Sequence, residues 1–290
     1  MADKPVLAVI GGSGLYEIAD LKNPRTQDLD TPFGKPSAPI VTGDLAGKPV
    51  AFLARHGIGH HISPSEVNYR ANVYALKALG VERIVSISAC GSLREDYAPG
   101  QIVIPDQLFD FTRGAREKSF FKEGLVAHIG SAEPFCNDLS AQLFDAVGAA
   151  GGKVHKGGMF ITIEGPRFST RAESNLFRAW GMSLIGMTTS PEAFLAREAE
   201  MCYAVMAHIT DYDVWHTSEE PVSVEMVVRT LNQNTQLAQQ AVQKLVASLK
   251  PERACDCGHA LAGALITRPD IIPTATRQKL SLLVDKYLKQ

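Results

Sequence analysis

Short apolar runs that stop at a glycine or a polar turn recur along this chain and alternate with stretches of helical period. The runs "PVLAVIGG" (Pro5–Gly12), "KPVAFLARHG" (Lys48–Gly57), "RIVSISACG" (Arg83–Gly91) and "GQIVIPD" (Gly100–Asp106) read as strands, as do "GGMFITIEGPRF" (Gly157–Phe168), "MSLIGM" (Met182–Met187) and "MCYAVMAHIT" (Met201–Thr210). Between them, Ser65–Leu79 reads as a helix that Ser63 or Ser65 caps and Gly80 closes. "TRAESNLFRAWG" opens with Thr170-x-x-Glu173, a capping-box spacing, and "SPEAFLAREAE" offers Ser190 as cap with Pro191 at the first helical position. Val222–Leu249 keeps a helical period through Val224, Val227, Val228 and Leu231, and a final helix is expected over Thr274–Leu288. Strands that alternate with helices define an α/β fold. At 290 residues, the length suits one large domain with at most a small appendage.

Composition narrows the function classes. Hydrophobic residues make up 45% and charged residues 21%, enough apolar material for a sizeable core. A net charge of −2 gives no electrostatic case for nucleic acid or an anionic membrane. No run approaches the roughly 20 apolar residues of a membrane span, and the N-terminus has no cleavage pattern. Five cysteines, a sparse and odd number, fit a reducing cytosol better than a disulfide scaffold. Cys255-x-Cys257 is their only close pair, and two thiols alone do not make a structural zinc site.

The stretches that carry chemistry fall where strands end, which is where open α/β sheets gather their ligands. "GGSG" (Gly11–Gly14) lets the backbone approach an anion and adds the Ser13 hydroxyl, although its spacing matches neither a dinucleotide fingerprint nor a P-loop. In "RHGIGHH" (Arg55–His61), Arg55 offers a bidentate fork to phosphate with His56 beside it; the acids that would complete a metal site with these histidines are not nearby. "SACGSL" puts the Ser88 hydroxyl and the Ala89 N–H at another strand end, and "MTTSPE" sets Thr188 and Thr189 at a helix start, where capping by Ser190 is the plain alternative. Phe168, in the turn of "EGPRFSTRAE", offers a ring to stack on a base or to fill the core.

"IGGSGLY", "DTPFGKPS", "ARHGIGHHISPSEVNYRAN", "ACGSLRE", "PGQIVIPDQ", "AEPFC", "TIEGPRFSTRAES", "GMTTSPE" and "TDYDVW" follow one another in fixed order through about Asn232. Together they resemble the trimeric purine nucleoside phosphorylase family, in its methylthioadenosine phosphorylase branch of bacterial type. The resemblance implies a single phosphorylase/hydrolase-like domain over residues 1–290, with a central twisted mixed sheet between helices and a C-terminal loop and helix over 251–290. It implies phosphorolysis of 5′-methylthioadenosine to adenine and 5-methylthioribose 1-phosphate, with adenosine as a further substrate. Phosphate would be held by Ser13, Arg55, His56, Ser88, Ala89 and Thr188. Met187 would lie against the ribose, Phe168 near the base, and Val224, Val227 and Val228 around the 5′ group. His128 and a C-terminal residue would reach the site across the subunit boundary of a homotrimer, and Ser169 and Val224 hold positions tied to substrate choice. No metal or organic cofactor is implied; inorganic phosphate is a co-substrate. A cytoplasmic enzyme with no nucleic-acid or membrane partner is expected.

The chemistry supports these roles. An anion below the sugar stabilises an oxocarbenium-like transition state, and an acid at N7 improves the leaving purine. In "HITDYDVW", residues i and i+2 of an extended chain share a face, so Asp211 and Asp213 can meet one ligand together. Beside adenine, Asp213 would accept from the N6 amine and a protonated Asp211 would donate to N7, with the two roles exchangeable. A 6-oxopurine needs a donor at O6, which favours Asn over ionised Asp; 5′-methylthioinosine, or purine nucleosides generally, form the alternative substrate class. A glycosyltransferase using Asp-x-Asp on Mn²⁺ or Mg²⁺ is a different enzyme class, and a non-catalytic nucleoside binder is a third reading. Dependence of turnover on phosphate separates them.

Overall fold

The computed structural model describes residues 4–12, 20–114 and 116–288. Among the described residues, eleven strands form one mixed sheet: β1 (Leu7–Gly11), β2 (Lys22–Gln27), β3 (Ile40–Leu45), β4 (Lys48–Ala54), β5 (Arg83–Ser92), β6 (Ile102–Ile104), β7 (Gln107–Phe111), β8 (Val154–Lys156), β9 (Met159–Ile163), β10 (Leu184–Gly186) and β11 (Cys202–Asp211). Their order is β2-β3-β4-β1-β5-β10-β9-β7, and β11 branches from β5 to carry β6 and then β8.

β5 is the axis of the molecule. It pairs in parallel with β1 over its first half and with β11 along nearly its whole length. β10 runs antiparallel across its end, with Leu184 opposite Ser92 and Ile185 opposite Gly91. The parallel strands β1, β4, β5 and β11 therefore finish at one edge, and β10 doubles back toward the same place. This is why Met187–Thr188 returns to the neighbourhood of Ser88–Ala89.

The sheet is covered on both faces, as its continuous apolar strands require. On one face α1 (Tyr69–Ala78) packs with α4 (Thr189–Glu198) over a core that includes Ile10, Leu53, Ile84, Val205 and Ile209. On the other, α2 (Asn137–Ala149) packs with α5 (Val224–Ser248) over Val9, Phe52, Ile87, Ala204 and Met206. A smaller cluster of Leu93, Ile161, Phe177 and Trp215 sits under α3 (Arg171–Ala179).

Local chemistry accounts for several boundaries. α3 starts with the expected capping box: the Glu173 N–H donates to Thr170 Oγ1 at 3.2 Å, and the Thr170 N–H donates to the Glu173 carboxylate at 2.7 Å. α1 begins later than expected, because Asn68 rather than a serine takes the Ala71 N–H. Ser63 instead bonds Glu66, and Ser65 bonds Glu164. The expected last helix is broken into α6 (Thr274–Lys279) and α7 (Ser281–Val284). Strands β2, β3, β7 and β8 and helix α2 have no counterpart in the sequence reading. No helix among the described residues is long and apolar enough to cross a membrane.

Candidate active site

The strand ends enclose a cavity of about 790 Å³. Its walls include Arg55, His56, Ser88, Ala89, Phe168, Ser169, Met187, Thr188, Asp211, Asp213, Val224, Val227 and Val228. Segments far apart in sequence are thus brought together, as the positions at strand ends lead one to expect. Ser13 lies outside the described residues. His128 is exposed and is not part of this wall; its backbone N–H bonds the Ala264 carbonyl at 2.9 Å, in the C-terminal segment.

One end of the cavity is built around Arg55. Its fork is turned onto Glu192, with Nε to Oε2 at 2.8 Å and Nη2 to Oε1 at 3.0 Å, and Nη2 also reaches Ser86 Oγ at 2.6 Å. The bidentate partner expected from sequence is therefore a buried glutamate rather than a ligand. Burial works against the guanidinium charge, but Glu192 outweighs it and holds Arg55 firmly protonated. Nη1 gives one N–H to the Ile87 carbonyl, which leaves its other N–H without an acceptor among the described residues. Ser88 Oγ lies 3.3 Å from Ser86 Oγ, so the hydroxyl chain leads from the arginine to the cavity.

His56 is tied by Nδ1 to the Ile62 carbonyl at 2.9 Å. A carbonyl only accepts, so Nδ1 carries the proton. Burial and the Arg55 charge lower the pKa of His56 to about 4, and the neutral ring keeps a lone pair on Nε2. At the same end, α4 is irregular at its start. Ser190 has extended φ/ψ of −101° and 135°, as an N-cap does, but its hydroxyl makes no capping bond. Thr188 is also free of any side-chain capping bond and faces the cavity.

At the opposite end stand the two aspartates, both buried. They do not meet as successive same-face residues of one strand. β11 ends at Asp211, and Asp213 takes a left-handed φ of 51°. The turn instead folds Asp213 back: its N–H donates to Asp211 Oδ1 at 2.8 Å, and the Thr210 hydroxyl donates to Asp211 Oδ2 at 2.6 Å. Burial raises the Asp211 pKa to about 6; these two bonds oppose the rise, and the neighbouring Asp213 charge adds to it. Burial raises Asp213 as well; the hydroxyls of Ser174 and Ser169 lie near enough to oppose the rise, but neither reaches hydrogen-bond geometry among the described residues. Asp213 Oδ2 is buried without a hydrogen-bond partner among the described residues.

Neighbouring residues fix this turn. Trp215 Nε1 donates to the Ser92 carbonyl at 2.7 Å, and the Arg178 guanidinium lies 3.4 Å over the Trp215 ring centroid. Gly91 is dictated by close approach, since a Cβ there would sit 2.9 Å from Asp211 Oδ1 and 3.2 Å from Asp213 Cβ. Arg116 is buried and bonds the carbonyls of Glu164, Met187 and Ser190, and so locks the Phe168 and Met187 turns to each other.

Glu192, Thr210, Arg116 and His208 were not singled out in sequence. His208 lines the cavity, is buried, and has neither ring nitrogen partnered among the described residues; burial lowers its pKa to about 4. One signal for it existed: it breaks the apolar face that Ala204 and Met206 set on β11.

The cavity joins an anion-suited end to a pair of buried carboxyls, an arrangement that fits cleavage of a base from a sugar by an anionic nucleophile. The chain belongs to the phosphorylase superfamily, whose family model matches residues 6–247. An S-methyl-5′-thioadenosine phosphorylase of Geobacter sulfurreducens is 52% identical over 283 residues, covering 98% of this chain and 99% of its own. A protein of the same name from Chloroflexus aurantiacus is 52% identical over 281 residues, with 97% and 98% covered. Among solved structures, a methylthioadenosine phosphorylase from an antarctic soil metagenomic library matches with TM-score 0.92 and 45% identity, over 97% of this chain and 99% of that one. The methylthioadenosine phosphorylase of Schistosoma mansoni in complex with adenine matches with TM-score 0.83 and 35% identity, over 97% and 98%. Identity at this level along nearly all of both chains places the protein in the S-methyl-5′-thioadenosine phosphorylase family of that superfamily.

Proposed function

We propose that this protein catalyses the phosphorolysis of 5′-methylthioadenosine, releasing adenine and 5-methylthioribose 1-phosphate. The observation that carries this reading is the pair Asp211 and Asp213: two buried carboxyls with raised pKa, one with an oxygen still seeking a partner, in the same cavity as the Arg55 end. A related enzyme holds adenine itself.

In this reading phosphate sits between Arg55, His56, Ser88, the Ala89 N–H and Thr188, with Ser13 as a further donor. The remaining Arg55 Nη1 hydrogen and the hydroxyls donate to it, while His56 Nε2, too weakly basic to take a proton, accepts a hydrogen bond from a phosphate OH and orients the anion. Attack at C1′ breaks the glycosidic bond, and the bond's electrons pass into the purine. Asp211 in its protonated form gives the purine a proton at N7. Asp213 Oδ2 accepts from the N6 amine, which satisfies its buried lone pairs. Met187 supports the ribose, Phe168 lies near the base, and Val224, Val227 and Val228 surround the methylthio group, with Ser169 and Val224 setting substrate choice. His128, which does not line the cavity of its own chain, serves a neighbouring site in a homotrimer, and the enzyme works in the cytoplasm.

A second reading, 5′-methylthioinosine as substrate, is favoured by one observation: a raised pKa lets a protonated aspartate donate to O6. Phosphate-dependent turnover of methylthioadenosine, adenosine, methylthioinosine and inosine, measured side by side, decides between them. Release of adenine from methylthioadenosine should dominate. Faster turnover of methylthioinosine would overturn the base assignment, and no phosphate-dependent release from any of the four would overturn the enzyme.

A further inference from the structure

Four of the chain's five cysteines converge at one point on the far side of the molecule from the reaction chemistry. The sulfurs of Cys136, Cys202, Cys255 and Cys257 all lie within 4.8 Å of one another, and Cys202 Sγ and Cys255 Sγ are 3.3 Å apart. These thiols come from three distant parts of the chain. Cys136 is the N-cap of α2, Cys202 opens β11, and the Cys255-x-Cys257 pair lies in the segment after α5. Read as a pair, Cys255 and Cys257 fall short of a metal site; the fold supplies the other two.

The spacing accommodates a tetrahedral tetrathiolate centre. Sulfurs ~2.3 Å from a central ion stand about 3.8 Å from each other, within the span of this cluster. A disulfide needs its sulfurs at roughly 2.05 Å, and all five cysteines are free thiols here. The first two ligands are held by bonds that do not involve the tail: the Cys136 N–H bonds the Tyr203 carbonyl at 2.8 Å, and the Cys202 N–H bonds the Glu82 carbonyl at 2.9 Å. The outer contacts also suit anionic sulfur. The Leu139 N–H points at Cys136 Sγ at 3.4 Å, and the Arg253 guanidinium is near enough to Cys202 and Cys255 to interact with both electrostatically. Arg83 ties the approach by bonding the carbonyls of Lys250 and Glu252 at 3.0 and 2.9 Å. Cys136 and Cys202 are buried in the core beneath α5, and the other two close over them half-buried.

We propose that Cys136, Cys202, Cys255 and Cys257 form a structural Zn²⁺ site that clamps the C-terminal segment to the start of α2 and β11. Four thiols give up four protons to solvent and bind one zinc as a centre of charge −2, which Arg253 partly balances. No electron is transferred. Thiolate-only tetrahedral sites select zinc or iron–sulfur clusters over the hard cations, and a single ion fills the space between these sulfurs. With all four ligand positions taken by protein, the ion has no open position for substrate.

Elemental analysis of the full-length protein purified from a reducing cytosol should find one zinc per chain. Thiol titration of the same sample, denatured with chelator, should count five reactive thiols. Reconstitution with Co²⁺ should give the intense visible absorption of tetrahedral cobalt thiolate. Cys255→Ser/Cys257→Ser should lose the metal and lower Tm, whereas Cys90→Ser keeps it. Five thiols with no metal would overturn the proposal in favour of a packed thiol cluster. Three thiols or one, again with no metal, would overturn it in favour of disulfides. Iron in place of zinc would overturn the choice of ion.

Discussion

Asp211 and Asp213 are neighbours with different debts to their surroundings. Asp211 already accepts from Thr210 and from the backbone, and its pKa of about 6 leaves it protonated in roughly one molecule in ten at pH 7. Desolvation by a bound purine raises that fraction. The acid is lost as pH rises through its pKa, so catalysis resting on it weakens toward alkaline pH. Asp211→Asn keeps a donor for N7 but no transferable proton. Turnover of methylthioadenosine should fall by ~10²–10⁴-fold, and the ratio of methylthioadenosine to methylthioinosine turnover should fall with it. An unchanged ratio would detach Asp211 from base recognition. The Arg55–Glu192 pair makes a second residue-scale prediction, on stability. Glu192→Gln leaves a buried guanidinium without its counter-charge, which costs about 3–5 kcal/mol. Urea denaturation reads this directly; a loss under about 1 kcal/mol would mean that the pair contributes nothing specific.

Among the elements, α3 was the most fully legible in the sequence. Thr170-x-x-Glu173 forms both bonds of its box, and Thr170→Ala should cost ~0.5–2 kcal/mol. A thermal melt unchanged by that substitution would show the cap to be redundant. Strands ending in Gly11, Ala54, Ser92 and Gly186 were legible too, because buried strands concentrate apolar residues and stop at a turn. Two of the four strands that escaped are marginal: β2 is "KNPRTQ", polar, exposed and proline-bearing, and β8 spans only Val154–Lys156. α2 did carry a readable spacing in Leu139, Leu143 and Val147, but its cap is a cysteine, a type no capping preference ranks. Within the site, the residues at strand ends could be named from sequence. Glu192 could not, since its meeting with Arg55 spans 137 positions and depends on how α4 packs.

For the whole molecule, buried ionisable groups set the response to pH. Burial raises Glu198 to about 7, with the Phe120 N–H and Ser119 hydroxyl opposing. A carboxyl raised in the folded state contributes most below its unfolded pKa, and that contribution is lost as pH rises through the folded value. His56 and His208, lowered to about 4, act in the opposite sense between pH 4 and 6.5, so the carboxyl effect emerges cleanly only above that range. Comparison with a variant removes the overlap. Glu198→Gln should gain stability relative to the parent as pH goes from 5 to 8, by up to about 3 kcal/mol. A difference that does not change with pH would show that Glu198 titrates as an ordinary carboxylate.

The pairing of Arg55 with Glu192 also reaches into the solution around the protein. An isolated arginine at the anion end would draw phosphate in by its charge and surrender it to competing ions. Here that charge is already matched by a glutamate, and the neighbouring imidazole is neutral, so in the proposed reading the inner wall would hold phosphate through aimed dipoles. Such a grip is short-ranged and little screened. The KM for phosphate should therefore stay nearly level as an inert salt is raised from dilute to physiological strength, and a steep rise would reveal an unpaired positive charge at the site.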